Sequence, residues 1–186
     1  IRTTETEIGA LLSSLSSAAV CCPCNKKQAD TLYEKLVKDG TQAVVSEFGD
    51  SYNESRYSDF DIGHVHIESV GTDVTILCFG ATVAPSADAA NMLKAKGISA
   101  DVIDVCSLRP FDTDGFVVAS LQKTKQLFIV DCDKSGATAI YLLGMLALHG
   151  NAMCGLQAQP VVIKPVGNRT LVEAGDIYNV VAARYE

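Results

Sequence analysis

The sequence predicts an α/β protein: a three-layer, largely parallel sheet preceded by a small partial α/β segment at the N-terminus. From residue 73 onward, short runs rich in β-branched and aliphatic residues alternate with helical patterns. These runs are apolar on both faces, and strands of that kind have to be covered by helices on both sides of the sheet. Consecutive parallel strands also need crossover connections, which the intervening helical patterns provide.

The first predicted strand of the main sheet covers residues 73–79, with the sequence DVTILCF. A helix is expected over residues 85–96, because alanines and a leucine recur there at helical spacing. Gly97 is placed to end this helix, since glycine readily adopts the left-handed conformation of a helix end. Residues 100–105, ADVIDV, are the next buried strand.

The strand exit CSLRPFD ends at Asp112, which is expected to be the N-cap of a helix that reaches about Lys123. The third strand is predicted over residues 126–131, QLFIVD, and the fourth over residues 160–165, PVVIKP. The pattern is therefore βαβαβαβα.

Two further helices complete the pattern. Residues 136–149 are apolar on nearly every side, which indicates either a deeply buried crossover helix or a helix that packs on another domain or subunit. The last helix starts near Glu173 and Asp176, whose charges complement the positive helix start. Its expected inward residues are Ala174, Ile177, Val180 and Val181.

The N-terminal segment supplies one more α/β unit. Residues 18–22 are a predicted strand, and Asn25 with Gln28 three residues later forms the pattern of a helix N-cap and capping box. Gly40 is expected to end that helix, and residues 42–48, QAVVSEF, follow as a strand. One helix and two strands bury too little apolar surface to be stable alone, so this segment needs a neighbour to pack on.

Residues 46–63, SEFGDSYNESRYSDFDIG, show no apolar period and contain turn-forming residues throughout, which is typical of a linker. We therefore predict a partial first domain over residues 1–48, a linker over 49–63 and a main domain over 64–186. Residues 64–74 are expected to add an edge strand before a turn.

Composition excludes some classes of partner. The net charge of -7 and the absence of a basic stripe argue against nucleic acid and against anionic membranes. No apolar stretch approaches the ~20 residues of a membrane helix. The seven cysteines are an odd number at long spacings, which favours buried thiols and a cytoplasmic or organelle-interior location. The chain begins with Ile1, and we expect it to be a piece of a longer protein.

Three of the cysteines cluster at Cys21, Cys22 and Cys24. A structural zinc site would need a second Cys or His pair at a suitable spacing, and the sequence has none. Cys21 and Cys24 have the spacing of a thioredoxin-type pair, but Cys21 lies inside the predicted strand rather than at a helix start. The favoured interpretation is a buried strand end.

Ligands of α/β sheets bind at the carboxyl ends of the strands, so the loops there contain the candidate site residues. The candidates for ligand or interface contacts are Gly80, Thr82, Ser107, Arg109, Asp131, Asp133 and Lys134. We predict no catalytic, cofactor-binding or metal-binding residue in this chain.

Four of these candidates also have a structural explanation. Gly80 can cradle an anion at a helix start or simply permit a tight turn. Arg109 can clamp a carboxylate or phosphate, or tie loops or subunits together. Asp131 and Asp133 can work as an acid/base or divalent-ion pair, or as solvated and helix-capping carboxylates. His64 and His66 could face one side of the edge strand, but no third metal ligand lies near them in sequence.

Several stretches resemble a known family. VGTDVTILCFG, AANMLKAKGISADVIDVCSLRPFD and KTKQLFIVD are similar to the C-terminal domain of the thiamine-diphosphate-dependent transketolase superfamily. The superfamily includes transketolase, deoxyxylulose-phosphate synthase and the β subunit of 2-oxo-acid dehydrogenases. The N-terminal segment resembles the end of the pyrimidine-binding domain of the same enzymes, with Pro23, Asn25 and Glu47 at matching positions.

This resemblance implies thiamine diphosphate and magnesium as cofactors of the full enzyme, which would act on 2-oxo acids or ketose phosphates. It also implies a homo-oligomer or a missing cofactor-binding domain or subunit. AVVSEF slightly favours the dehydrogenase β subunit, for which an α subunit and an acyltransferase core are the expected partners.

The chain departs from the family pattern in two places. The Gly-Asp-Gly signature that leads to an asparagine is absent, and the cofactor-activating glutamate would lie before Ile1. The helix after Asp131 also lacks the family's usual glycine pair. We therefore expect this chain alone to bind no cofactor and to be inactive, and to contribute dimerisation and partner binding.

Two alternatives remain at this point. One is a non-catalytic interaction or regulatory module of the same fold. The other is a flavodoxin-like domain that binds a small ligand and shares only the strand and helix pattern with the family.

Overall fold

The computed structural model describes residues 2–3, 12, 17–47, 60–149 and 153–186. The strands are β1 (Arg2–Thr3), β2 (Ala19–Cys21), β3 (Ala43–Ser46), β4 (His66–Ser69), β5 (Val74–Cys78), β6 (Ala100–Asp104), β7 (Ser107–Arg109), β8 (Leu127–Val130) and β9 (Val161–Ile163). The helices are α1 (Lys26–Asp39), α2 (Val83–Lys94), α3 (Phe116–Thr124), α4 (Ala137–Leu148) and α5 (Ala174–Ala182).

The larger sheet has the order β4-β6-β5-β8-β9. β6, β5, β8 and β9 are parallel, whereas β4 pairs antiparallel with β6 at one edge. This confirms the largely parallel sheet and its edge strand. Most of the predicted linker, residues 49–59, lies outside the described residues.

Two apolar cores on opposite faces of this sheet give the predicted three layers. On one face Leu77 and Ile129 pack with residues of α3 and α4. On the other face Ile76 and Phe128 pack with residues of α2 and α5. The strands are apolar on both faces because each face is covered by a pair of helices.

The smaller sheet has the order β1-β3-β2-β7. β1, β3 and β2 are parallel, and β7 pairs antiparallel with β2. β7 comes from the main part of the chain, so the two predicted segments share a sheet. The sequence did not indicate this strand, because residues 106–112 have the composition of a loop.

α1 begins and ends where the sequence predicts. The Asn25 side chain accepts a hydrogen bond from the Gln28 amide at 2.9 Å, and Gly40 adopts the left-handed conformation with φ +64°. One detail differs from a capping box: the Gln28 side chain accepts from the Cys24 amide, at 2.7 Å, rather than from Asn25. Gln28 is fully buried and extends toward the junction of the two sheets.

Two expectations about helix residues are wrong. The N-cap of α3 is Gly115, with φ +74°, and Asp112 reaches the helix start from three residues further back by accepting from the Val117 amide. The tight turn at Gly115 places the Asp112 carboxylate at the start of α3, although Asp112 is not the N-cap residue. In α5, Val180 points outward and is 39% exposed, whereas Ile177 and Val181 are buried.

Candidate functional site

The first candidate loop follows β5 and is closed by its own contacts. Gly80 has φ +52° and opens a short 3-10 turn, Gly80–Thr82, that leads into α2. The Thr82 hydroxyl accepts from the Phe79 amide at 3.0 Å and lies 3.2 Å from the Val130 carbonyl oxygen. Thr82 is 1% exposed, so its hydroxyl links β5 to β8 inside the fold.

The second loop joins the two sheets. The Ser107 hydroxyl donates to the Pro110 carbonyl at 2.9 Å, and the Arg109–Pro110 peptide bond is cis. The Arg109 guanidinium lies over the Tyr141 ring at 5.6 Å and donates to the Leu12 carbonyl. Arg109 therefore contacts both α4 and a residue of the N-terminal segment.

The third loop, after β8, contains the two acids. Asp131 accepts from the amides of Asp133, at 2.9 Å, and Ala139, at 2.8 Å, so both of its oxygens hold the loop against the start of α4. Asp133 in turn accepts from the amide and hydroxyl of Ser135. Exposed Lys134 donates to the Gly167 carbonyl at 3.2 Å.

Burial raises the pKa of Asp131 to about 6, and the two amide donors partly offset this effect. The negative charge of Asp133 also raises this pKa, whereas Lys164 lowers it. A carboxyl group in this range changes protonation near neutral pH. Because its two oxygens are engaged with backbone amides, the geometry supports a structural contact better than an open acid/base position.

The histidines lie along the chain segment that leads into β4. Nδ1 of His64 contacts Asp114, and Nε2 lies 3.8 Å from Asp61, which also contacts Lys35 of α1. His66 begins β4. Within the described ranges no three His, Cys, Asp or Glu side chains are arranged to hold a metal ion.

The sequence did not predict a buried polar cluster where the two sheets meet. Asp104, the last residue of β6, is fully buried. Gln28 approaches Asp104 at 3.5 Å and donates to the Cys106 sulfur at 3.3 Å. Two acids in a buried strand, Asp101 and Asp104, were the available signal, since a buried carboxylate requires polar partners.

The cysteine cluster of the N-terminal segment has the predicted strand-end location. Burial raises the pKa of Cys21 to about 12 and that of Cys22 well above its ordinary value, so both remain thiols. Cys24 is partly exposed. A cavity of about 300 Å³ opens beside Cys106, and its other walls are Thr31, Phe60, Asp61, His64, Val65 and His66.

α4 has one face inside the first core and one face outside. Leu142 and Leu146 are buried, whereas Ile140 is 65% and Leu148 is 81% exposed. Gly144 lies between the two exposed side chains on the outer face. The helix is therefore not buried on every side within this chain. Within the described ranges no helix is long and apolar enough to cross a membrane.

Residues 63–158, more than half of the chain, match the family described as transketolase, C-terminal domain. The chain is 32% identical over 126 residues to the β subunit of acetoin:2,6-dichlorophenolindophenol oxidoreductase of Bacillus subtilis (strain 168), covering 65% of this chain and 36% of that protein. It is 36% identical over 121 residues to the mitochondrial pyruvate dehydrogenase E1 component subunit beta of Caenorhabditis elegans, covering 60% and 34%.

The chain thus spans about a third of the length of these curated relatives. Its fold also matches a solved structure described as a split-gene transketolase, an inactive β4 tetramer, with a TM-score of 0.76 and 24% identity. That match covers 98% of this chain and 64% of the other. The family match and the fold agree on one conclusion: the chain belongs to the transketolase C-terminal domain family.

Proposed function

We propose that this chain is the C-terminal part of a subunit of a thiamine-diphosphate-dependent enzyme that acts on 2-oxo acids or ketose phosphates. The observation that supports this most directly is the family match over residues 63–158, with β subunits of oxidoreductases among the relatives. We propose residues 1–48 as the end of a pyrimidine-binding-type domain, 49–63 as a linker and 64–186 as the C-terminal domain.

The loop after β8 does not fit a site for thiamine diphosphate. A diphosphate with a divalent ion needs carboxylate or carbonyl oxygens that point outward. At the carboxyl end of β8, the oxygens of Asp131 and Asp133 accept hydrogen bonds from their own loop instead. We therefore propose that thiamine diphosphate and magnesium are held by residues outside this chain.

The contribution of this chain is then to assembly. The exposed apolar face of α4, with Ile140 and Leu148, supports a role in contacts between subunits. Because both relatives above are named as β subunits, an α subunit and an acyltransferase core are the proposed partners, in addition to a second copy of the subunit. The mitochondrial name of one relative is consistent with a cytoplasmic or organelle-interior location.

The proposal is tested with the full-length protein that contains this chain, produced with and without its α subunit. Reduction of an artificial electron acceptor is measured with a panel of 2-oxo acids, and two-carbon transfer is measured with ketose phosphates. We expect thiamine-diphosphate-dependent turnover of one of these classes. Absence of turnover, together with absence of thiamine diphosphate binding in calorimetry, would contradict an enzymatic role.

The second candidate is a non-catalytic interaction module of the same fold. The intramolecular contacts of Thr82, Ser107 and Asp131 favour it, because they leave the strand-end loops engaged with the protein itself. The calorimetry separates the two candidates. Binding of thiamine diphosphate by the full-length protein supports the enzyme, and binding of a partner subunit without any cofactor supports the module.

A further inference from the structure

Two cysteines that are far apart in sequence meet at one side chain where the two sheets join. Cys24 lies between β2 and α1, and Cys106 lies between β6 and β7. The Gln28 side chain contacts both, since Oε1 accepts from the Cys24 amide at 2.7 Å and Nε2 donates to the Cys106 sulfur at 3.3 Å. A single amide group therefore separates the Cys24 backbone from the Cys106 sulfur.

The two thiols differ in how they meet the solvent. Cys24 is partly exposed, and its sulfur accepts a hydrogen bond from Asn25 Nδ2 at 3.3 Å beside the N-terminal end of α1. The hydrogen bond from Asn25 and the nearby helix start both stabilise negative charge on the Cys24 sulfur. Cys106 is buried, and its S–H donates to the Asp104 carboxylate at 3.3 Å.

Cys106 is buried and forms part of the wall of the cavity beside it. Burial, and after it the charge of Asp104, raises the pKa of Cys106 well above its ordinary value, so this group stays a thiol. The cavity of about 300 Å³ with Cys106 in its wall gives a small oxidant or reductant a route to the junction. A partly exposed thiol close to a buried one is the arrangement of a redox-sensing pair.

We propose that Cys24 and Cys106 form a reversible disulfide that links the two sheets when the protein meets a hydroperoxide. The Cys24 thiolate attacks the terminal oxygen of the hydroperoxide and becomes a sulfenic acid, while the O–O bond breaks and the alkoxide that leaves takes a proton from water to become an alcohol. The Cys106 sulfur then attacks the Cys24 sulfur. Its proton passes through Asp104 to the departing hydroxide, which leaves as water, and a dithiol later restores both thiols.

Four other cysteines are less suited to this role. Cys78 is fully buried and its S–H donates to the Ile103 carbonyl at 3.4 Å. Cys21 and Cys22 are also fully buried, inside and directly after β2. Cys154 is exposed and serves as an internal control.

The test treats the chain with tert-butyl hydroperoxide, counts the remaining thiols in denaturant and maps disulfides by mass spectrometry. The count should fall from seven, the number of cysteines in the sequence, by two, with Cys24 joined to Cys106. The variant C154S should lose the same two thiols. C106S should lose none to a disulfide and should instead leave a dimedone-reactive sulfenic acid on Cys24.

A second measurement is independent of mutation. Cys24 and Cys106 lie on opposite sides of residues 49–63, so proteolysis within that range produces two pieces. After oxidation the pieces should migrate together on a non-reducing denaturing gel and separate when dithiothreitol is added. A disulfide between Cys24 and Cys78, oxidation confined to Cys154, or an unchanged thiol count would each overturn the proposal.

Discussion

Gly71 shows how one missing side chain permits two parts of the main domain to touch. A Cβ atom at this position would lie 2.5 Å from the backbone carbonyl carbons of Ser99 and Ala100. The Gly71 amide donates to buried Asp101 at 2.6 Å, so the backbone cannot simply move away without losing this bond. The close approach, rather than a left-handed conformation, requires glycine here.

We expect G71A to lower the free energy of unfolding by about 1–3 kcal/mol, because overpacked backbone has to shift. The matched control is G144A, since Gly144 lies in α4 and an added Cβ would meet nothing within 4 Å. That variant should gain up to about 1 kcal/mol from helix propensity. Urea denaturation of both variants measures the difference, and equal stabilities would show that the contact is unimportant.

Asp131 predicts a pH dependence of stability. Its pKa of about 6 in the folded protein is higher than the ~3.9 of an unfolded chain, so the folded state holds the proton longer. Its contribution to stability therefore falls as pH rises from about 4 to about 6, and is constant above that range. The free energy of unfolding of D131N minus that of the wild type should therefore increase as pH rises from about 4 to about 6.

The comparison is made by chemical denaturation at several pH values. Groups with lowered pKa values, such as Asp73 and Asp176, titrate equally in both proteins and cancel in the difference. D131N keeps one acceptor oxygen for the two amides, so it is less stable by a constant offset. A difference that does not vary with pH would contradict the raised pKa.

Local signals explain which residues were predictable. Asn25 and Gly40 follow sequence rules that act within one helix end, and their predicted positions are confirmed, whereas the side chain of Gln28 bonds the Cys24 amide instead of completing a capping box. Asp112 was not predictable in this way, because the turn through Gly115 brings its carboxylate back to the start of α3. The role of Gln28 at Asp104 and Cys106 depends on contacts more than 70 residues apart, which no local pattern contains.

At the scale of elements, buried hydroxyl groups join β5 to α3. The Thr75 hydroxyl lies 2.7 Å from the hydroxyls of both Ser120 and Thr124. Ser120 continues the chain of hydrogen bonds to Asp101, which also meets Lys123. All three hydroxyls are buried, and Thr124 also bonds the Gln126 carbonyl at 3.3 Å, so the network links β5, α3 and the start of β8.

T75V should lower the free energy of unfolding by about 1–3 kcal/mol, because it removes one hydrogen-bond partner from each of two buried hydroxyls. T72V is the matched control, since the Thr72 hydroxyl bonds Ser99 at an exposed position. Its effect should stay within about 0.5 kcal/mol. Thermal unfolding of the two variants measures this, and a T75V protein as stable as T72V would show that the network contributes little.

Periodicity predicted the strands and helices of the main sheet well, because both faces of each strand are covered. The sequence pattern did not reveal the hydroxyl contacts of Thr75 in β5. Threonine fits a buried strand equally well whether its hydroxyl faces polar or apolar neighbours. In α5, Val180 has the spacing of an inward residue but is exposed, although the helix packs on α2. Spacing predicts a face of a helix and leaves its edges undetermined.

At the scale of the whole molecule, the exposed face of α4 predicts self-association. I140D places a charge on a side chain that is 65% exposed, so the fold itself should tolerate it. In sedimentation velocity the wild-type chain should form dimers or larger species, and I140D should shift toward monomer. V37D is the control, because Val37 is an exposed apolar residue of α1.

V37D should leave the distribution unchanged, which separates a specific interface from a general effect of added charge. A wild-type chain that sediments as a monomer at all concentrations would contradict an interface at α4. Composition predicts that part of α4 is buried, because its twelve residues contain so few polar side chains that other parts of the protein have to pack on them. Which side lies outside depends on the first core and could not be predicted.

The pairing of β7 with β2 has a practical consequence for anyone who divides this protein. The family match begins at residue 63, and a chain cut there would keep Ser107–Arg109 but lose the strand that these residues pair with. An open strand edge of this kind is a template for aggregation. The smallest piece that remains monodisperse in its own right should therefore retain residues 19–47, although they belong to the preceding sheet.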